Sequence, residues 1–249
     1  MRYFLDIAYK GTNYHGWQEQ ENAISVQQTL NESLSRISAE EIRCVGSGRT
    51  DTGVHATQQM VHFDSQKAVK TDKFLYQLNA VLPHDISAKS IKAVKPEAHA
   101  RFDATKRTYH YHIHQIKDPF KEGLSYFFSG KLNIASINSG TTIIKGHKNF
   151  ESFSKVRTEV NNFQCDIYTA EWRPTQDGWT FIISANRFLR GMVRTIVGTL
   201  LDMGQGKLSP TELPLILDQQ DRKAAGRSVA AHGLYLAEVC YPEEIYINP

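Results

Sequence analysis

The 249 residues carry 29 lysines and arginines against 26 acids, a formal charge of +3, too mild to argue for a nucleic-acid partner without a patch. Charged residues at 22% and hydrophobic ones at 41% exclude a disordered or fibrous chain, and no apolar run approaches the roughly 20 residues that cross a bilayer. The first residues lack a secretory leader's apolar stretch, and Cys44, Cys165 and Cys240 stand singly, so a cytoplasmic protein with no membrane partner, disulfide framework or zinc knuckle is expected.

Taken in chain order, residues 2–9 alternate as a strand. Ser25-Val26-Gln27-Gln28 reads as a capping-box start to a helix whose buried stripe is Val26, Leu30, Leu34 and Ile37. Strands at 40–46 and 58–63, a helix at 72–81 ended by Pro83, and a strand at 88–94 complete a β-α-β-β-α-β order. The order then recurs. A strand at 107–114 precedes a helix at 134–144, strands at 164–173 and 179–185 flank the turn residues Asp177-Gly178, and the apolar spacing of 189–201 predicts a helix stopped by Gly204. Ser209-Pro210-Thr211-Glu212 opens a short extra helix, and 234–240 supplies the last strand. The expected fold is therefore α+β, two ferredoxin-like βαββαβ halves over 1–104 and 105–249, with antiparallel sheets side by side around a central basic cleft. Positive charge gathers after residue 100, at Lys106-Arg107, Arg187, Arg190, Arg194, Arg222-Lys223 and Arg227.

The loop between the second and third strands is Gly46-Ser-Gly-Arg-Thr-Asp-Thr-Gly-Val-His-Ala56. Its glycines let backbone bend and approach a ligand, and Asp51 has Arg49 two residues before it and His55 four after. Two readings stand: a capping Asp in a turn, or an ionised carboxylate presented to a substrate on a rigid scaffold. An aspartic-protease reading of Asp51-Thr52-Gly53 fails, since that chemistry shares one proton between two carboxylates and no second such triplet occurs. In Tyr109-His110-Tyr111-His112-Ile113-His114, strand alternation puts the histidines on one face and the tyrosines on the other. Same-face residues about 6.8 Å apart allow two ligands to one ion but strain three, so solvent-facing histidines are favoured over a metal site. The tyrosines suit either core packing or stacking on a nucleobase. Arg194, at the edge of an apolar helix, either snorkels to solvent or pairs with an anion.

Gly48-Arg49-Thr50-Asp51-Thr52-Gly53-Val54-His55-Ala56 resembles the signature of the tRNA pseudouridine synthase A family. Further segments resemble that family in order: Tyr9 to Gln18, Ser25-Val26-Gln27, Leu78 to Pro83, His99-Ala100-Arg101-Phe102, Arg107 to Tyr111, Phe188 with Met192 to Gly198, and Gly233-Leu234-Tyr235. The match spans essentially the whole chain. It implies an isomerase without metal or cofactor that detaches uracil from C1′ of a tRNA uridine, turns it and rejoins it through C5, at positions 38, 39 and 40 of the anticodon stem-loop. By the same resemblance Asp51 is the nucleophile, Arg194 its ion-pair partner, and Tyr109 stacks on the uracil and is a candidate base. Arg49 assists extrusion of the nucleotide, and His55 and Arg107 join Tyr109 and Arg49 in binding substrate. The family works as homodimers. The chain departs from the pattern at Thr52, where alanine is frequent, at Leu189-Arg190-Gly191, and at Val160-Asn161-Asn162-Phe163, which lacks a basic-Thr pair and one expected phosphate contact. The alternative is a non-catalytic RNA-binding module on the same fold.

Overall fold

A computed structural model describes residues 1–155 and 161–247; Val160, from the last of those departures, lies outside the described residues. The chain is mixed α+β with mostly antiparallel strand pairing, and it divides into two compact units, Met1–Arg107 with Tyr235–Pro249, and Thr108–Leu234.

The first unit begins with β1 (Arg2–Tyr9), α1 (Val26–Ser38), β2 (Val45–Gly46), β3 (His55–Asp64), α2 (Thr71–Val81) and β4 (Ile86–Val94). β1 is the spine of its sheet, antiparallel to β3 through Leu5 opposite Val61 and to β4 through Leu5 opposite Ile91. Leu5, Ile7 and Val61 are fully buried, as are Leu30 and Leu34 of α1 and Leu78 of α2, which is the helical spacing read from the sequence put to use. Ser25 caps α1, its hydroxyl accepting from the Gln28 amide at 3.2 Å. Only half of the expected capping box forms, because the Gln28 side chain donates forward to Glu32 at 3.1 Å. The strand expected over 40–46 shrinks to two residues. Side chains of α1 take its backbone groups: the Ile42 amide donates to Ser35 Oγ and the Cys44 amide to Asn31 Oδ1, both at 2.8 Å.

The second unit holds β5 (Lys106–His114), which starts at its border, then β6 (Tyr126–Phe127), α3 (Ile134–Gly146), β7 (Ile167–Pro174), β8 (Gly178–Ala185), α4 (Met192–Gly204) and α5 (Glu212–Asp218). β7 and β8 form the expected hairpin, with Trp172 opposite Phe181. Tyr111, Ile137, Ile144, Phe150, Phe153, Phe181, Ile183, Ile196 and Leu200 form its core. α4 starts three residues later than the apolar spacing suggests, after Gly191 at φ 75°. Its end is marked by Gly206, at φ 73°, and not by Gly204, which is the last helical residue.

The last strand, β9 (Leu234–Cys240), lies where the periodicity predicts it. From Tyr235 onward it belongs with the first unit, although the sequence reading gave all of 105–249 to the second half. The cause is pairing: Tyr235 and Leu236 run parallel to His55 and Ala56 of β3. Beyond it Tyr241 packs edge-on to Phe4 of β1, with ring centroids 4.9 Å apart.

Candidate active site

The root of the Asp51 loop is held by the middle of β3. Gln59, fully buried, accepts from Ser47 Oγ at 3.0 Å and donates to the Gly48 carbonyl at 2.8 Å. The Ser47 amide donates to the Met60 carbonyl at 2.7 Å. A buried amide side chain bonded at both ends fixes its neighbours strongly, because leaving either end open costs desolvation. Farther along, the Thr50 and Tyr9 hydroxyls are 2.8 Å apart, and the Trp17 amide donates to the Thr50 carbonyl at 3.1 Å.

The tip is a tight turn. The Val54 amide donates to the Asp51 carbonyl at 3.1 Å, and Gly53 at its third position has φ 76°, which only glycine adopts without strain. It is therefore the main-chain oxygen of Asp51 that closes the turn. Arg49 and Thr52 at this tip are exposed and Asp51 is half-buried. Gly48 has only the Arg107 side chain near its would-be Cβ, at 4.0 Å, so packing does not demand glycine there.

The far end of the loop is seated on the segment Gly11–Trp17. A Cβ on Gly11 would lie 2.0 Å from the Val54 carbonyl oxygen, and the Gly11 amide donates to His55 Nδ1 at 2.9 Å. His55 is 1% exposed, its ring 4.6 Å from that of Tyr235. That burial gives it the role of an anchor for the loop. The Gly11 seat was missed in reading individual residues, and its signal lay in Tyr9-Lys-Gly-Thr-Asn-Tyr-His-Gly-Trp17, where two glycines interrupt buried aromatics.

Arg107 also turns to the backbone. Its Nη2 donates to the Ser47 carbonyl at 2.8 Å and the Arg101 carbonyl at 2.6 Å, its Nε to Ser47 at 3.2 Å, and its Nη1 to Ala104 at 3.4 Å. A planar guanidinium makes such a fork where an ammonium does not. The Asp51 loop is thereby tied to the chain segment before β5.

In the second unit Tyr109 is 8% exposed and meets Phe188 edge to face, with ring centroids 5.0 Å apart. Arg194 sits in the first turn of α4, half-buried. Its Nε donates to the Val229 carbonyl at 2.7 Å, and the Val229 amide returns a bond to the Arg194 carbonyl at 3.2 Å. Ser228 adds a hydroxyl contact to Thr195 at 2.8 Å. The strap 226–229 thus fixes one edge of the Arg194 guanidinium.

The strand histidines divide otherwise than alternation suggests. Tyr109, Tyr111 and Ile113 do share a buried face, but His114 is buried as well. Hydroxyls meet two of the rings: His112 Nδ1 lies 2.9 Å from Thr180 Oγ1, and His114 Nδ1 3.0 Å from Ser125 Oγ. Among the described residues no group of three or more His, Cys, Asp or Glu side chains is arranged to hold a metal ion.

Burial shifts several neighbouring groups. It pushes the Tyr235 phenol, beside His55, up to about 12, and raises Tyr111 further, with Tyr126 adding and Arg194 opposing. His62 of β3 falls to about 4, first through burial and then through Arg2 and His99.

The sequence profile described as tRNA pseudouridine synthase matches residues 7–103 and 143–242. The chain is 46% identical to the tRNA pseudouridine synthase A of Porphyromonas gingivalis, over 99% of both chains. It is 44% identical to that of Bacteroides fragilis over 98% of both. With the protein of the same name from Bacillus subtilis it shares 40%, over 97% of this chain and 99% of the relative.

Proposed function

This chain belongs to the tRNA pseudouridine synthase family, and on that premise we propose that it is an isomerase converting uridine to pseudouridine in tRNA, at positions 38, 39 and 40 of the anticodon stem-loop. The observation that supports the reading is the Asp51 turn, half-buried at the tip of a loop whose base is locked by Gln59, Gly11 and His55. Preorganisation of this kind is what a nucleophile needs, since a misplacement of about 1 Å can cost a hundredfold in rate.

In the proposed reaction the C1′–N1 bond of the uridine breaks with Asp51 attacking C1′, to form an ester bond, or assisting departure of the base. Uracil turns in place, C5 bonds to C1′, releasing the Asp51 carboxylate where it had bonded, the C5 proton leaves and N1 takes one up. Nothing is gained or lost overall, which accords with a site needing neither metal nor cofactor. Asp51 serves only as the carboxylate, so a cationic partner that keeps it ionised has a chemical purpose. Arg194 takes that part in our reading. Tyr109 stacks on the uracil and is the candidate to receive the C5 proton, and exposed Arg49 helps draw the nucleotide from its stem. His55 and Arg107 act on substrate through the loop they hold. The likeness along both halves supports a duplicated ferredoxin-like plan, a homodimer and a cytoplasmic setting; no helix among the described residues is long and apolar enough to cross a membrane.

Incubation with tRNA carrying labelled uridine tests the proposal. Pseudouridine formed by the native protein and absent with Asp51→Ala supports it. No product from the native protein, with tRNA still bound, leaves the non-catalytic RNA-binding module instead.

A further inference from the structure

The segment His99-Ala100-Arg101-Phe102 has no part in the chemistry above, yet the fold holds its backbone from every side. Arg2 Nη1 donates to the Ala98 carbonyl at 3.0 Å, the Ala100 amide donates to His62 Nδ1 at 3.1 Å, and the Tyr241 hydroxyl donates to the Ala100 carbonyl at 2.5 Å. Arg107 takes the carbonyls of Arg101 and Ala104. Within the loop the His99 amide donates to the Asp103 carboxylate at 2.7 Å, and His99 Nδ1 accepts from the Arg101 and Phe102 amides at 3.1 and 3.4 Å. A loop this constrained presents its tip side chains in fixed positions at little entropic cost on binding.

Those side chains are both exposed, Phe102 at 74%. One side of the Phe102 ring is backed by His99, with centroids 4.3 Å apart, and the Arg101 guanidinium lies 5.7 Å from its centroid. A flat apolar ring beside a cation is the pairing that a nucleobase and its phosphate require. The position fits too. One nitrogen of Arg107 bonds both the Arg101 and the Ser47 carbonyls, so this tip is tethered beside the root of the loop that carries Arg49 and Asp51.

We propose that Phe102 stacks on an unpaired base of the RNA substrate flanking the reacting uridine, with Arg101 on the adjoining phosphate, an inference that rests on the functional reading above. A second copy of the chain is the poorer occupant. One aromatic ring offers about 150–250 Å² where a stable interface needs about 800 Å² from each partner, and its neighbour here is a charge.

The test is binding of an unmodified tRNA transcript by the full-length protein over a series of salt concentrations. Phe102→Ala binds about tenfold or more weakly. Phe102→Trp recovers the loss, and Phe102→Leu, similarly apolar but without a π face, does not. Arg101→Ala reduces the slope of log affinity against log salt by about one, whereas Phe102→Ala leaves it unchanged. Wild-type affinity in Phe102→Ala or Phe102→Leu overturns the proposal, as does weakening that sedimentation traces to a dimer falling apart. Failure of the functional reading looks different: the native protein then forms no pseudouridine, whatever Phe102 does.

Discussion

Replacing Arg107 separates a tether from a phosphate contact. Its guanidinium donates to the Ser47, Arg101 and Ala104 carbonyls, with the two shortest contacts at 2.6 and 2.8 Å and the others at 3.2 and 3.4 Å. Hydrogen bonds from a charged donor contribute about 1.5–3 kcal/mol each. The longer pair adds little, and the bond to Arg101 is on the exposed side, so the loss in Arg107→Ala comes to about 2–3 kcal/mol of local stability. An opening free energy smaller by about 2 kcal/mol speeds hydrogen exchange about thirtyfold where exchange follows local opening. We expect that acceleration in peptides covering 46–54 and 98–105 together. Arg107→Lys keeps the charge but brings one ammonium to what was a fork, and recovers less than half of the protection. The salt slope of tRNA binding stays the same in both variants, because a tether releases no counterions. Full recovery by lysine, or a slope lower by one with normal exchange in Arg107→Ala, refutes the tether and returns Arg107 to the RNA backbone.

Gly198→Ala tests the strap that holds Arg194. Its new Cβ would lie 1.8 Å from the Arg227 carbonyl oxygen, so the strap has to move; overpacking of about 1–3 kcal/mol outweighs the gain of about 1 kcal/mol in helix propensity. A lower urea midpoint and a lower kcat are expected, and an unchanged pair of values contradicts the geometry. His62 carries a pH prediction. Its folded pKa of about 4 lies below the ordinary 6.5, so the unfolded chain binds more protons between those values. Stability is complete above about pH 6.5 and falls by about 2 kcal/mol as the pH drops toward 4, after allowance for solvent screening. Urea midpoints at pH 7.5, 6 and 4.5 read this, and His62→Asn, which cannot charge, shows a smaller decline; equal declines remove His62 as the cause.

What the sequence disclosed follows how local each cause is. The stripe Val26, Leu30, Leu34 and the alternation in β5 and β8 are consequences of neighbours in the chain, and these elements fall where the pattern places them. Gly53 announces a turn because its positive φ is a property of one residue. The lost strand at 40–44 depended on Asn31 and Ser35, polar side chains of the preceding helix that captured its amides. Nothing in the 40–46 stretch itself carries that information. His114 read as solvent-facing because its hydroxyl partner, Ser125, lies beyond the strand. The charge of Arg107 is visible in the sequence, whereas its bond to the Ser47 carbonyl, 60 residues earlier, is not. Likewise β9 continues the repeated order of elements, yet its pairing with β3 could be learned only from the fold.

The central claim is that Asp51 performs the chemistry. Its most direct test is single-turnover pseudouridine formation on an anticodon stem-loop transcript with the native protein and with Asp51→Ala and Asp51→Asn. The account predicts product with the native protein and none with either variant, while both still bind the transcript. Product from Asp51→Ala at a rate near native would contradict it.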